Sequence, residues 1–515
     1  MTTPTLSHRV SAAVFWNSIL LPLRTLLPFI ANIILVRALS QDQFAALVAV
    51  TAVLNTIGQY ADLGIERSVS KFIPEVETGF GRQGVLRFLA IVTGIEMVVL
   101  ALLLIVLNVF SEFFINYFHF GEQGPLYLLA INLLLVLGAL SDLALQILFA
   151  YFKQKATNAL TLVVGFLQPV FLVLFILLGW GVFGVLLALV IVTVIQVALA
   201  IPLVNQTLRG LAATGGKTAS SWQAFARRFA KYSALQYFFN LTAYFYDLPF
   251  VVLILTNFNE TLGVALFGLA AQRLVLPVLR FLSAPLTGIQ QPLFGKLFVE
   301  RDPAKLQAAY AGLTRFLILV LVPSGVGLIL VARNVIRIFF QARYENAATV
   351  AGWLVFFLFA ESLLSTSHNI LLAHEHFRAV ILTRLTALIS IPLLLIVTPI
   401  FGVVGATIAA GVGRVLSRGL ATVYAWRVLE LSFPWRFFQR VIMASGVMAV
   451  ALYFPLVVMR PSTSPDTILQ TVLSVIGGSA VFILCFKLLG GLEKADKERL
   501  LTMRIPFKYA LVNWL

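Results

Sequence analysis

Apolar positions fill this chain in blocks of twenty or more, separated by short polar stretches. Blocks of that length match a hydrocarbon layer of about 30 Å crossed at about 1.5 Å per residue. Read this way, the pattern predicts about fourteen membrane-spanning helices, with cores at 12–36, 44–64, 85–109, 126–150, 158–179, 182–204, 234–256, 262–288, 312–332, 348–372, 379–400, 402–425, 437–458 and 467–489. Prolines at 22, 28, 169, 277, 285, 323 and 392 fall inside these cores and predict kinks. A cleavable leader is not expected, because the first block follows only His8 and Arg9, exceeds the length of a signal core and carries Arg24. The predicted fold class is an all-α, polytopic integral membrane protein.

The polar stretches set the orientation. With the N-terminus inside, 25 of the 37 lysines and arginines fall on the inner side, and Arg37, Arg333, Arg337, Arg343 and Arg460 on the outer. That asymmetry predicts that both termini are cytoplasmic. Composition agrees: 60% of the 515 residues are hydrophobic, 11% are charged and the mean hydropathy is +0.98, which excludes a stack of soluble domains. The net charge of +16 is spread between apolar blocks instead of forming a basic domain, so nucleic acid is not an expected partner. Cys485 is the single cysteine, which excludes an internal disulfide framework.

The chain also repeats. Lys71-Phe72 with Arg87-Phe88-Leu89-Ala90-Ile91-Val92 recurs as Lys296-Leu297 with Arg315-Phe316-Leu317-Ile318-Leu319-Val320. Gln146 to Ala150 recurs as Asn369 to Ala373, and Gly181 to Val185 as Gly402 to Ala406. Six spans per repeat is an even number, so the halves share an orientation and should be related by a pseudo-two-fold along the membrane normal. The expected divisions are an N-terminal six-helix half at 1–206, a cytoplasmic linker at 207–233, a C-terminal six-helix half at 234–430, two further helices at 431–490 and a cytoplasmic tail at 491–515. In the linker, Trp222, Phe225 and Phe229 recur at helical spacing beside Arg227, Arg228 and Lys231, which predicts an amphipathic helix on the inner leaflet. Gly216-Lys217-Thr218 is not a phosphate-binding loop, because Leu211 stands where that pattern needs glycine.

Against this apolar background the charges inside spans stand out: Arg24, Glu96, Asp142, Asp247, Arg273, Arg280, Glu361, Arg384 and Arg414. Each costs several kcal/mol in hydrocarbon unless it faces a polar interior, so the chain is expected to handle something polar and anionic. Arg273, Pro277, Arg280 and Thr287 share a helical face, as do Asn17, Arg24 and Pro28. Tyr237, Asn240, Tyr244 and Asp247 form a polar stripe, and so do Asp142 with Gln146 and Glu361 with Ser365 and His368. Glu96 has no local partner in the sequence. The acidic residues either pair with the arginines or carry a coupling ion, and the residues alone leave Arg384, Arg414 and Arg418 between a cavity and an inner-leaflet role. His374-Glu375-His376 does not read as a metal site, because alternate residues on a helix point about 200° apart.

The segment Leu35-Val36-Arg37-Ala38-Leu39-Ser40-Gln41-Asp42-Gln43-Phe44, followed by Asp62-Leu63-Gly64-Ile65, resembles the N-terminal signature of bacterial polysaccharide (O-antigen type) flippases, relatives of lipid II flippases and multidrug and toxin extrusion transporters. Asp247 and the run Gly263 to Ala270 open the second half similarly. The resemblance implies export of an undecaprenyl-diphosphate-linked glycan from the inner to the outer leaflet by alternating access, in the plasma membrane of a bacterium or archaeon. A diphosphate needs cations in a low-dielectric cavity, and the planar guanidinium fork suits phosphate. Arg24, Arg273 and Arg280 are the candidate diphosphate-binding residues, with Asp142, Asp247, Glu361 and Glu96 as candidates for ion coupling or cavity pairing. No cofactor or metal is expected; coupling would be to protons, sodium or the membrane potential. Expected partners are the lipid-linked glycan, membrane lipids and a glycan polymerase or other export machinery, with the protein itself a monomer. A multidrug antiporter would want a net acidic cavity, and a membrane glycosyltransferase, polymerase or ligase would need catalytic carboxylates or histidines in sizeable outer loops, where a nucleophile and base arrangement is not found.

Overall fold

A computed structural model describes residues 28–151, 153–211, 221–283, 290–300, 302–374, 376–458 and 464–492, and every regular element among them is helical. Among the described residues, eleven helices are long and apolar enough to cross a membrane, or twelve when one bent pair counts as a span. Two details account for the difference from fourteen. The first predicted span reaches the described residues only as the short apolar helix Pro28–Ala38. The predicted spans 379–400 and 402–425 lie in one run, Phe377–Val428, of 52 residues. A straight helix of that length would measure about 78 Å at about 1.5 Å per residue, and the run is broken at Gly402, whose backbone (φ 55°, ψ −140°) is closed to other residues.

The described residues divide into two compact units, Met1–Ala265 and Leu266–Leu515. In unit 1, helix α1 (Gln41–Ala61) starts on a capping box: the Ser40 hydroxyl accepts from the Gln43 amide at 3.1 Å, and the Gln43 side chain accepts from the Ser40 amide at 3.0 Å. It ends at Asp62-Leu63-Gly64, where Leu63 (φ 49°) and Gly64 (φ 71°) turn the chain into α2 (Ile65–Val109). A Cβ at Gly64 would lie 2.3 Å from the Ser233 carbonyl oxygen and 2.7 Å from the Tyr237 amide. Helix α2 breaks at Gly81 and then becomes a span with two faces. Val85, Phe88, Leu89, Val92, Leu100 and Leu107 are buried, whereas Val98, Leu102, Ile105 and Val109 are exposed, as a lipid-facing surface requires.

Helices α3 (Gly124–Ala150), α4 (Gln154–Leu177) and α5 (Gly181–Arg209) follow. Helix α6 (Trp222–Tyr244) is capped by Ser221 and meets α7 (Leu248–Asn257) at 44°. The amphipathic linker helix is thus the first part of α6. Its rings face protein instead of lipid: Trp222, Phe225 and Phe229 pack edge-on against Phe72, Phe80 and Phe88. Lys71 lies 3.8 Å from the Tyr232 ring, and Arg228 pairs with Glu75.

The unit boundary falls inside α8 (Thr261–Ser283), whose middle, Leu269–Val275, is π-helical. In unit 2, α9 (Pro303–Phe340) is capped by Asp302, and α10 (Ala347–Ala373), α11 (Phe377–Leu385) and α12 (Ser390–Val428) follow. Helix α12 approaches α10 at Gly411, where an added Cβ would sit 2.2 Å from the Phe357 ring. Helices α13 (Trp435–Tyr453) and α14 (Ser464–Leu488) join α9 around Phe437, Val441, Met448, Phe482 and Phe486.

Candidate functional site

In unit 2 the close approach at Gly411 brings the polar stripe of α10 against the basic positions of α12. The Glu361 carboxylate accepts from Arg414 Nη1 at 3.1 Å and lies 3.5 Å from Arg418 Nε, with all three side chains 16% exposed. Two helical turns along α10, His368 is buried, and its Nε2 lies 3.5 Å from Arg384 Nη2 of α11. Arg273 is half-buried on the π-helical turn of α8, which packs against α10. A π-helical turn shifts side chains off the ordinary helical register and is often found at functional sites. Among the described residues of α8 and α10 to α12, Glu361 is the one carboxylate, set against Arg273, Arg384, Arg414 and Arg418 in this region. These helices thus carry more guanidinium donors than carboxylates, a composition suited to an oxyanion.

Unit 1 has the opposite character. Glu96 is 3% exposed on the buried face of α2 and interacts electrostatically with Asp62 and with Asp142 of α3. Asp62, at the end of α1, receives the Asn240 amide at 3.4 Å. The Asn240 carbonyl accepts from Gln59 at 2.5 Å, and Tyr244 bonds Thr56 at 3.0 Å. The α6 stripe read from the sequence therefore packs along the polar face of α1. Asp247 is exposed and caps α7, accepting from the Leu248 amide at 2.9 Å across the break in that span.

The predicted residues thus separate. Glu361 is brought into a cationic cluster, and Arg273 lies on a segment packed against the same helix. Arg280 is exposed toward the end of α8, and Arg24 lies outside the described residues. Glu96 and Asp142 interact electrostatically, with Asp62 as a third carboxylate that the sequence showed only within the family-like signature. Pairing of Glu361 with arginine was one of the two roles read for it, but which arginines was left open; they are Arg414 and Arg418. Its signal is their i, i+4 spacing on one face, opposite another such stripe at Glu361, Ser365 and His368. Among the described residues no group of three acidic, histidine or cysteine side chains could hold a metal ion.

The fold is similar to that of several solved transporters. A lipid II flippase MurJ in an inward closed conformation superposes with a TM-score of 0.71 at 14% identity, over 92% of this chain and 99% of that one. A multidrug resistance MATE family transporter of the MOP superfamily, inward-facing, gives 0.63 at 15% identity over 79% of this chain and 94% of that one. A MOP superfamily transporter from Pyrococcus furiosus, described as having a binding pocket of reversed polarity, gives 0.57 at 14% identity over 82% and 95%. At such identities the likeness establishes a shared fold. No curated protein sequence matches the chain. A family model for polysaccharide biosynthesis proteins matches residues 34–349, more than half of the chain, from the short helix before α1 into α10, and on that match the chain belongs to the polysaccharide biosynthesis protein family.

Proposed function

We propose that this protein moves an undecaprenyl-diphosphate-linked oligosaccharide from the inner to the outer leaflet by alternating access. The observation that carries the reading is the arginine excess in unit 2: Arg273, Arg384, Arg414 and Arg418 against Glu361. Guanidiniums in a low-dielectric interior favour a diphosphate, whose oxygens accept paired hydrogen bonds. Family membership supplies the glycan, and the shared fold with a lipid II flippase supports a lipid-linked form of it. The multidrug transporters share the fold, but a cationic drug would be repelled by this surplus of positive charge.

In this reading the protein works as a monomer in the plasma membrane of a bacterium or archaeon, with both termini cytoplasmic, beside a glycan polymerase or other export machinery. Arg273 and Arg384 hold the diphosphate, while Arg414 and Arg418, braced by Glu361, set the field around it. The test is binding of undecaprenyl diphosphate, the monophosphate and the neutral alcohol to protein in nanodiscs. The diphosphate should bind tightest, and Arg273→Ala and Arg384→Ala should each weaken it about tenfold or more, the equivalent of about 1.4 kcal/mol or above. Equal binding of diphosphate and alcohol would contradict the assignment.

A further inference from the structure

The face of α2 that carries Val85, Phe88, Leu89, Val92, Leu100 and Leu107 is buried, and Glu96 falls within that apolar series at 3% exposure. Its Oε2 makes no hydrogen bond among the described residues. The charged groups with which it interacts are carboxylates from two other helices, Asp62 at the end of α1 and Asp142 of α3. From α6, Tyr237 faces Asp62 and Tyr60. An enclosed carboxylate anion without a donor costs several kcal/mol, and negative neighbours add to that cost.

A positive charge must therefore enter with Glu96. A bound metal ion needs several oxygens converging within about 2.6 Å of one point, and among the described residues no three acidic side chains converge that closely. A proton needs a single oxygen. Asp142 is exposed whereas Glu96 is not, so the pair forms a step from an accessible carboxylate to an enclosed one.

We propose that Glu96 is a proton-binding site of this protein, with Asp142 as the neighbouring carboxylate that passes the proton to it. Binding converts the Glu96 carboxylate to the neutral acid, and release restores the anion beside Asp62 and Asp142. That this proton drives glycan movement rests on the transport reading above; proton binding itself does not.

Two measurements test the site without any glycan. The first is labelling by dicyclohexylcarbodiimide, which attacks protonated carboxyls in apolar surroundings, read by peptide mass spectrometry on the unaltered protein in proteoliposomes. Glu96 should take up label, and the yield should fall as pH rises. The second is the charge displaced by a pH jump on a solid-supported membrane. Wild type should give a transient that Glu96→Gln largely loses. A Glu96 that stays unlabelled at every pH, or Glu96→Gln transients equal to wild type, would overturn the proposal. Coupling is then read from leaflet translocation of a labelled undecaprenyl-diphosphate oligosaccharide. An imposed pH gradient should speed translocation by wild type and have no effect on Glu96→Gln; a wild type that binds protons but moves no glycan would overturn the transport reading alone.

Discussion

Glu361 shows how much a single residue can hold in place. Its carboxylate meets two guanidiniums that are each only 16% exposed, so removing it leaves two enclosed cations without their counter-charge. Glu361→Ala should destabilise unit 2 by about 3–5 kcal/mol, seen as a lowered unfolding temperature in detergent, and removing Arg414 as well should restore part of the loss. Additive losses, with Arg414→Ala costing as much in the Glu361→Ala background as in wild type, would show that the two residues act independently. Asp302 works at the membrane edge by a different balance. Hydrogen bonds from the Lys305 and Ala304 amides, together with the Lys305 charge, hold its carboxyl below the usual aspartate value. Its contribution to the first turn of α9 is therefore full above the unfolded-state value and is lost as pH falls through the lower folded one. Amide-exchange protection at residues 304–306, corrected for intrinsic rates, should drop in that acid window, and Asp302→Ala should lack it even at neutral pH. Protection in the variant equal to wild type would remove the cap from the account.

Elements were legible wherever one force dominated. Apolar blocks set the order of the spans because length against bilayer thickness is a local property; the capping box of Ser40 and Gln43 that starts α1 is equally local, but its segment was read only as part of a family-like signature. Features that depend on a partner helix were not legible. The aromatic residues of the linker read as lipid-facing, since the sequence does not reveal that Phe72, Phe80 and Phe88 would cover them. Asp62-Leu63-Gly64 could be recognised as a motif but not explained until Gly64 was found pressed against the α6 backbone. Gly64→Ala should cost about 1–2 kcal/mol for a left-handed backbone and about 1–3 kcal/mol for overpacking. Gly94→Ala, where an added Cβ meets nothing within 4 Å, is the internal control and should be neutral or mildly stabilising. Equal unfolding temperatures for the two variants would refute the tight turn.

At the scale of the whole molecule, the sequence makes a polytopic membrane protein plain because 60% apolar composition and serial spans have few other outcomes. The nine charges inside spans, five basic and four acidic, read from the sequence as only a mildly cationic interior. The structure sorts those charges: unit 1 gathers Asp62, Glu96 and Asp142, and unit 2 gathers arginines around Glu361. Such sorting depends on which helix faces meet, which hydropathy does not report. The central claim, a transporter of lipid-linked glycan that grips its diphosphate with arginine, is tested most directly by leaflet translocation of a labelled undecaprenyl-diphosphate oligosaccharide in proteoliposomes. Wild type should translocate it, and Arg384→Ala should insert normally yet move it at least about tenfold more slowly, the loss expected for a charged hydrogen bond of about 1.4 kcal/mol or more. Translocation by Arg384→Ala and Arg273→Ala at the wild-type rate, or efflux of a cationic dye with no glycan movement, would contradict it.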